Sequence, residues 1–212
     1  MQPQADFTLE LTQLSAQAVK ALAPSFASLP KTDHADGQYR LRRYSSITLG
    51  PKGINHLASH QFVQSEEINH FQGDVVRQFE ELQEHIINSD ALLEMCEIFK
   101  QANHLSDQQI IDIHQMRITA IYDQTKVSPE GIHQDGFDHI AMIGIDRHNI
   151  SGGELLIYNS NKEAPFLHKV LTSGEVALLD DHRLWHNATP ISLINKSEAG
   201  HMDVFVLTAK DL

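Results

Sequence analysis

Two residues able to bind a metal lie two positions apart near the middle of the chain. His133 and Asp135 are separated by one residue, and alternate side chains of an extended strand leave the same face. An imidazole and a carboxylate placed side by side can supply two ligands to one cation. The sequence therefore predicts part of a metal site in this stretch.

A third ligand has to come from a later segment, and residues 180–191 offer two histidines. His182 and His186 differ by four positions, so both would face the same way on a straight strand. We favour His186, because its neighbours are typical of a strand, whereas residues 180–183 are typical of the turn that precedes one. Three other histidines, for which a satisfied or exposed ring is the simpler interpretation, are His139, His168 and His201.

Two histidines and one carboxylate leave one face of a bound metal open. Structural zinc sites are closed by four protein ligands, often cysteines, and Cys96 is the only cysteine in the sequence. Catalytic zinc, manganese or cobalt remain open on this ligand set. The free positions suit Fe(II), which can bind a bidentate cosubstrate and then O₂.

The elements that would position these ligands form two groups. Helical spacing is found over residues 7–29, from Ser65 to Ile86, and from Ser89 to about Asn103, with an alternating strand over residues 38–49. After residue 106 the chain consists of short apolar segments separated by turns, which is typical of a jelly roll. We predict an α+β fold, a double-stranded β-helix with N-terminal helices packed on one sheet. Residues 1–212 would form one domain, with 1–105 helical apart from one early strand and 106–212 as the jelly-roll core.

Composition narrows the class of partner. The formal charge is 16 − 28 = −12 without a basic block, which argues against binding nucleic acid or an anionic membrane. The three arginines Arg40, Arg42 and Arg43 are interpreted as a solvated or rim face. No apolar run approaches the roughly 18 residues that a membrane span needs, and the N-terminus lacks the basic and apolar regions of a signal peptide. The single cysteine, Cys96, favours a reducing compartment. We therefore expect a cytoplasmic protein. A homodimer is left open.

Several motifs together resemble one family. The chain is similar to the 2-oxoglutarate/Fe(II) dioxygenases that include bacterial free L-amino-acid hydroxylases acting on isoleucine and leucine, and a biofilm-associated homologue. The resemblance covers about residues 38–210, and the matching stretches are Arg40-Leu-Arg-Arg-Tyr44, His114-Gln-Met-Arg117, Pro129-Glu-Gly-Ile-His-Gln-Asp-Gly-Phe137, Arg147-His-Asn-Ile-Ser-Gly-Gly-Glu154, Asp180-Asp-His-Arg-Leu-Trp-His186, Thr189-Pro-Ile191 and Asp203-Val-Phe-Val-Leu-Thr208. It implies a double-stranded β-helix with His133, Asp135 and His186 as iron ligands, and 2-oxoglutarate and O₂ as cosubstrates. It also implies a small substrate such as a free aliphatic L-amino acid.

The sequence departs from this family at one position. An Arg is expected just before Asp203 to bind the distal carboxylate of 2-oxoglutarate, and Gly200-His201-Met202 stands there instead. Arg117, His201 or an Arg from a neighbouring strand would then take the role, unless 2-oxoglutarate is not the cosubstrate. Arg117 could equally be part of a structural ion pair.

Three functions therefore compete. A hydroxylase would form succinate from 2-oxoglutarate, a binding or sensing module would bind ligand without turnover, and a metal-dependent hydrolase or isomerase would turn over without O₂. Four residues beside the motifs could line the pocket, although core packing is the simpler role for the aromatic ones: Tyr122, Phe137, Asp138 and Trp185.

Overall fold

Strands dominate the part of the chain that the computed structural model describes, residues 8–58 and 78–212. The helices are α1 (Ala16–Leu22), a 3₁₀ helix (Ala23–Ser28), α2 (Glu84–Ile87) and α3 (Asp90–Ala102). The strands are β1 (Leu9–Gln13), β2 (Arg40–Gly50), β3 (Gly53–His56), β4 (Ile110–Thr119), β5 (His139–His148), β6 (Ile150–Gly152), β7 (Leu155–Tyr158), β8 (Leu167–Lys169), β9 (Glu175–Asp180), β10 (Trp185–Ala188), β11 (Ile191–Leu193) and β12 (His201–Ala209). None of the helices in these ranges is long and apolar enough to cross a membrane.

The strands form one large sheet faced by smaller ones. The large sheet has seven strands in the order β1-β9-β5-β12-β4-β2-β3, and the smaller sheets are β10-β7-β8 and β11-β6. Their pairings are antiparallel. Apolar residues of the two layers pack together, for example Ile140 of β5 with Ile157 of β7. The predicted jelly roll with helices on one sheet is confirmed.

The helices cover the outer face of the large sheet. Alternate residues of β12, Phe205 and Leu207, are fully buried there with Phe26 of the 3₁₀ helix and Leu92 of α3. The rings of Phe26 and Phe205 meet edge to face at 5.1 Å between centroids. Each such side chain contributes about 1.5–3 kcal/mol by leaving water. This apolar layer fixes the sheet against the helices.

The N-terminal segment is only partly helical. Residues 9–13 form β1 rather than the predicted helix, because they pair with the edge of β9 in the register Leu9 with Leu179. The helix α1 starts after this strand, and the Ser15 hydroxyl accepts the amide N–H of Ala18 at its N-terminus. Pro24 then lies in the 3₁₀ helix. With β2 and β3, the described residues before 106 supply three strands where the sequence predicts one.

The second predicted helix is also shorter than expected. Its residues 65–77 lie outside the described ranges, and residues 78–83 are not helical. This extended segment bonds to β2 instead: Tyr44 N–H donates to the Glu80 carbonyl, and Leu82 N–H donates to the Ser45 hydroxyl. The third helix, α3, is confirmed, with Ser89 as its N-cap.

Candidate metal centre and cavity

The His133–Asp135 pair lies in a loop that touches one strand. The sequence predicts that His133 and Asp135 lie on a strand, but β5 begins only at His139. His133 forms an isolated antiparallel bridge with His186 of β10, through N–H to O distances of 3.0 and 2.9 Å. Gly136 then adopts a positive φ of 79°, which a residue with a side chain rarely adopts. The bridge brings the proposed ligands together without a continuous strand.

The three side chains converge on one point. Asp135 Oδ1 lies 3.3 Å from His133 Nε2, and Asp135 Oδ2 lies 3.6 Å from His186 Nε2. One ligand atom from each residue lies within 4.8 Å of the others. Two imidazole nitrogens and one carboxylate oxygen at this spacing fit a single divalent transition metal, and the donor set is that of the open Fe(II) centres.

Hydrogen bonds behind the ligands fix their orientation. His133 Nδ1–H donates to the Gly131 carbonyl at 2.8 Å, which leaves Nε2 as the atom that faces Asp135 and would bind a metal after losing its proton. The buried Asp181 carboxylate accepts three backbone N–H groups, from Asp135 at 3.1 Å, Gly136 at 2.8 Å and Phe137 at 3.2 Å. Asp181 is therefore a positioning residue, although the sequence indicates only that it lies in a turn. The one sequence feature that points to it is the Asp180-Asp181 pair shortly before His186.

The charges of the ligands are set by one another. Burial raises the pKa of Asp135, but the hydrogen bond from His133 and the nearby imidazoles outweigh it and hold the carboxyl well below its usual pKa. Burial alone would lower the pKa of His133, and Asp135 raises it instead, to about 9. Burial and the charge of His133 lower the pKa of His186 to about 3. The pocket is thus built to hold positive charge beside Asp135.

A cavity extends from these ligands between the large and small sheets. Its wall is mainly apolar, and the described lining includes Met116, Ile118, Val127, Phe137, Met142, Leu155, Leu171, Met202, Val204 and Val206. The polar lining residues include Arg40, Arg42, His114, Ser128, Glu130, Asn187 and Thr208. An aliphatic ligand portion would fit the wall, and the charged groups would fix its ends.

The arginines of β2 are not the solvated face that the sequence predicted. Arg40 and Arg42 line the cavity, and Arg42 is only 6% exposed, with its guanidinium 5.0 Å from the Phe79 ring centroid. Arg40 lies 2.7 Å from Asp36 and 3.6 Å from Glu130. The alternation of β2 places these two residues opposite Ile118 and Met116 of β4, on the cavity face of the sheet. Burial inside a jelly roll therefore overrides the usual exposure of arginine.

The structure does not bring Arg117 or His201 into the cavity, in contrast to the expectation for 2-oxoglutarate binding. Neighbouring Met116, Ile118 and Met202 line it, and alternation sends Arg117 and His201 to the opposite face. There Arg117 Nε and Nη2 each lie 2.7 Å from an oxygen of Asp203. Arg117 is thus part of a structural ion pair.

His201 belongs to a second group of metal-ligand types, which lacks the features of the first. Its Nε2 lies 3.2 Å from Asp146 and 3.7 Å from Asp203. The Asp203 carboxylate already receives the Arg117 fork, so a metal would have to displace a bidentate cation. We assign no metal to this group.

The remaining candidates lie around the centre without joining it. His139 bonds to Asp211 at 2.9 Å, His182 bonds to Asp138, and the exposed His168 lies 3.9 Å from Glu154. Phe137 lines the cavity, whereas Tyr122 is 62% exposed. Trp185 is half-buried and is not part of the described cavity wall. The structure therefore favours His186 over His182 as the third ligand.

Comparisons with known proteins identify a family and a shared fold. The family model described as 2OG-Fe dioxygenase matches residues 23–208. A bsmA homologue from Methylobium petroleophilum superimposes with a TM-score of 0.78 at 25% identity, covering 92% of this chain and 81% of that one. IDO from Bacillus thuringiensis gives 0.79 at 17% identity, with coverage of 97% and 94%, and shows a shared fold. The Fe(II)/α-ketoglutarate-dependent dioxygenase TqaL gives 0.68 at 12%, with coverage of 96% and 82%. No curated protein matches the sequence.

Proposed function

The chain belongs to the 2OG-Fe dioxygenase family, and from this premise we propose that it hydroxylates a free aliphatic L-amino acid at a centre formed by His133, Asp135 and His186. It is an Fe(II)- and 2-oxoglutarate-dependent enzyme. The observation that carries the proposal is the convergence of the three ligands at the wall of a largely apolar cavity. O₂ and a small molecule are its reaction partners.

Each ligand has a defined task at this centre. Asp135 supplies the negative charge, and the two imidazoles supply neutral nitrogens once His133 has released its proton. Bound there, Fe(II) supplies the oxidation of a C–H bond to C–OH, coupled to conversion of 2-oxoglutarate and O₂ into succinate and CO₂. Asp181 keeps the 135–137 backbone in place through its three hydrogen bonds. The chain's contribution is to orient the reactants and exclude water.

The apolar wall supports an aliphatic group at the reacting position. Met142, Val206 and Leu171 lie on the cavity wall, and Phe137, which also lines the cavity, follows Asp135 in the same loop. A side chain made only of carbon and hydrogen would pack here without leaving a buried polar atom unpaired. A strongly polar side chain would find few hydrogen-bond partners on this wall.

Two charged groups on the cavity wall support a zwitterionic head group. Arg40 Nε and Glu130 Oε2 are buried and have no hydrogen-bond partner among the residues that the structure describes, and the two side chains are 9% and 10% exposed. The carboxylate of an amino acid could accept from Arg40, and its ammonium could donate to Glu130. With Asp36 and Arg42, these four groups sum to zero charge, which suits a ligand whose own charges cancel.

Turnover with a panel of free L-amino acids tests the proposal. The protein, Fe(II), 2-oxoglutarate and O₂ are incubated with each amino acid, and both succinate and a product heavier by one oxygen atom are measured. We expect both to appear with leucine-like or isoleucine-like substrates. The carboxylic acid that has the same side chain but no ammonium group should bind wild type and Glu130→Gln with equal affinity. The amino acid itself should bind wild type more tightly than Glu130→Gln. Succinate formation that no amino acid stimulates would contradict the proposed substrate.

The wider setting of the enzyme is also part of the proposal. We propose one catalytic domain made from the whole chain, acting in the cytoplasm, with self-association into a homodimer as the state to test by sedimentation. The strands before residue 106 support the single domain, because β1 and β2 pair directly with β9 and β4 of the jelly roll. The buried Cys96 in a chain without other cysteines suits a reducing compartment.

A further inference from the structure

The cosubstrate has one charged end that the metal does not bind. Iron at this centre would hold 2-oxoglutarate by its 2-oxo acid end, so the protein would have to bind the distal carboxylate. A buried carboxylate needs a cation or several hydrogen bonds, because its transfer from water is costly otherwise. The cavity wall has to provide that partner within reach of the centre.

One row of residues crosses four strands on the cavity side. Arg40 pairs with Ile118, Ile118 with Met202, and Met202 with Arg147 of β5. Residues paired directly across strands point to the same face, so Arg147 is on the side of Met202, which lines the cavity. Arg147 and Arg40 occupy the two ends of this row.

A β-bulge is the reason that Arg147 points this way. The pairing of β12 with β5 shifts between Asp203 and Val204, so that Asp203 pairs with Asp146 and Val204 with Gly144. Without the extra residue, Asp146 would stand opposite Met202 and Arg147 would point to the helix-covered face. A bulge re-aims every side chain beyond it by one position. This one directs an arginine inward.

The Arg147 guanidinium lies directly beside two residues of the cavity wall. Its Nη2 donates to the Gly152 carbonyl at 2.5 Å, and no described carboxylate lies within 4.0 Å of it; Glu154 acts on it only from farther away. A Cβ on Gly153 would lie 3.1 Å from Arg147 Nη1, 3.0 Å from Met202 Sδ and 2.9 Å from Ile191 Cγ2, so this position has no room for a side chain. Gly153 and Met202 both line the cavity. The Arg147 cation therefore lies at the cavity wall, next to these two residues.

We propose, on the basis of the function proposed above, that Arg147 binds the distal carboxylate of 2-oxoglutarate at the part of the cavity wall formed by Gly153 and Met202. The guanidinium keeps N–H groups beyond those that hold the 152–153 turn, and a carboxylate is the group they fit best. Arg117 is on the opposite face of the sheet, where its guanidinium binds the Asp203 carboxylate. Arg40 is the partner of the substrate carboxylate in the function proposed above.

A pair of 2-oxo acids tests this assignment. Anaerobic, Fe(II)-loaded protein is titrated calorimetrically with 2-oxoglutarate and with 2-oxobutyrate, which offers the same chelating end without the distal carboxylate. In Arg147→Gln we expect the Kd of 2-oxoglutarate to rise on the order of 10- to 100-fold, as for a lost charge-assisted hydrogen bond. The Kd of 2-oxobutyrate should stay within about twofold of wild type, which also reports an intact iron centre. Arg147→Lys should fall between the two.

Arg117→Gln is the matched control, since it removes an arginine from the other face of the same sheet. It should leave the preference for 2-oxoglutarate unchanged. Equal weakening of both acids by Arg147→Gln would overturn the inference and make Arg147 a support of the 152–153 turn, with the proposed function intact. A wild type with equal affinity for both acids would overturn the inference and the cosubstrate part of the proposed function together.

Discussion

The two faces of the seven-stranded sheet are built from the same strands for opposite purposes. Toward the helices, Phe205 and Leu207 of β12 are fully buried in a continuous apolar layer. Toward the small sheets, Val206 and Thr208 of the same strand line a cavity. Because side chains alternate along a strand, adjacent residues of β12 face opposite ways: one packs against the helices and the next lines the cavity.

The difference teaches where polar groups are tolerated inside this fold. The cavity face carries Arg40 and Arg42, and polar groups of the opposite face are paired within the protein, such as Arg117 with Asp203. A ligand can complete the polar groups of the cavity, whereas nothing can enter the helix-covered layer. The following predictions test this separation.

The largest effect is expected at the metal centre. His133→Ala removes a ligand, so we expect a loss of Fe(II) affinity greater than the 10- to 100-fold that loss of an outer partner causes. Activity should vanish with it. The melting temperature of the metal-free protein should change little, because His133 is outside the helix-side layer. Anaerobic metal titration and thermal unfolding measure the two quantities, and full activity in the variant would exclude the assigned ligand set.

Adjacent positions on β12 should separate stability from ligand binding. Phe205→Ala leaves a cavity in the helix-side layer and should cost about 3–5 kcal/mol in the free energy of unfolding. Val206→Ala, one residue on, faces the site and should cost much less while changing substrate affinity. Urea unfolding and ligand titration of both variants provide the comparison. Similar losses of stability would show that the faces are not energetically distinct.

A smaller effect is expected behind the ligands. Asp181→Asn keeps the shape of the side chain but removes the charge that collects three backbone N–H groups, so Fe(II) affinity should fall about 10- to 100-fold. Asp180→Asn is the neighbouring control, since Asp180 accepts from His182 and Arg183 instead. If the control lowers metal affinity as much, the role belongs to the turn as a whole.

The smallest effect is expected for chemical labelling of Cys96, which is buried in the helix-side layer. Burial raises the pKa of the Cys96 thiol to about 12, so almost no thiolate exists at neutral pH and a maleimide reagent should fail to label it. Because the pKa is raised, labelling should increase only at strongly alkaline pH or after unfolding. Mass spectrometry before and after urea treatment measures this. Rapid labelling of the folded protein would mean that the layer opens.

The proposed ligand set follows in the sequence from residue types and spacing, and the structure brings the three side chains together. His133, Asp135 and His186 were assigned in this way, although the supposed strand is a loop closed by a bridge. Alternation alone could not tell which side of β4 faces the cavity, so Arg117 was a candidate. That choice depends on the register of β4 against β2 and β12, which is set by pairing between distant strands.

Helical periodicity failed where another strand was available to pair. Residues 9–13 fit a helix by spacing, yet the open edge of β9 recruits them as β1. Residues 78–83 likewise bond to β2. The helix α3 was predicted correctly, because Ser89 caps its N-terminus and the residues that it buries are all apolar. Local propensity decides only where no such tertiary partner competes.

The most direct test of the iron centre is anaerobic absorption spectroscopy of the protein with Fe(II) and 2-oxoglutarate. Chelation of the 2-oxo acid by iron at His133, Asp135 and His186 should produce a visible charge-transfer band that saturates at one Fe(II) per chain. His133→Ala should not produce it. A wild type that shows no band at millimolar 2-oxoglutarate, or a variant that keeps the full band, would contradict the account.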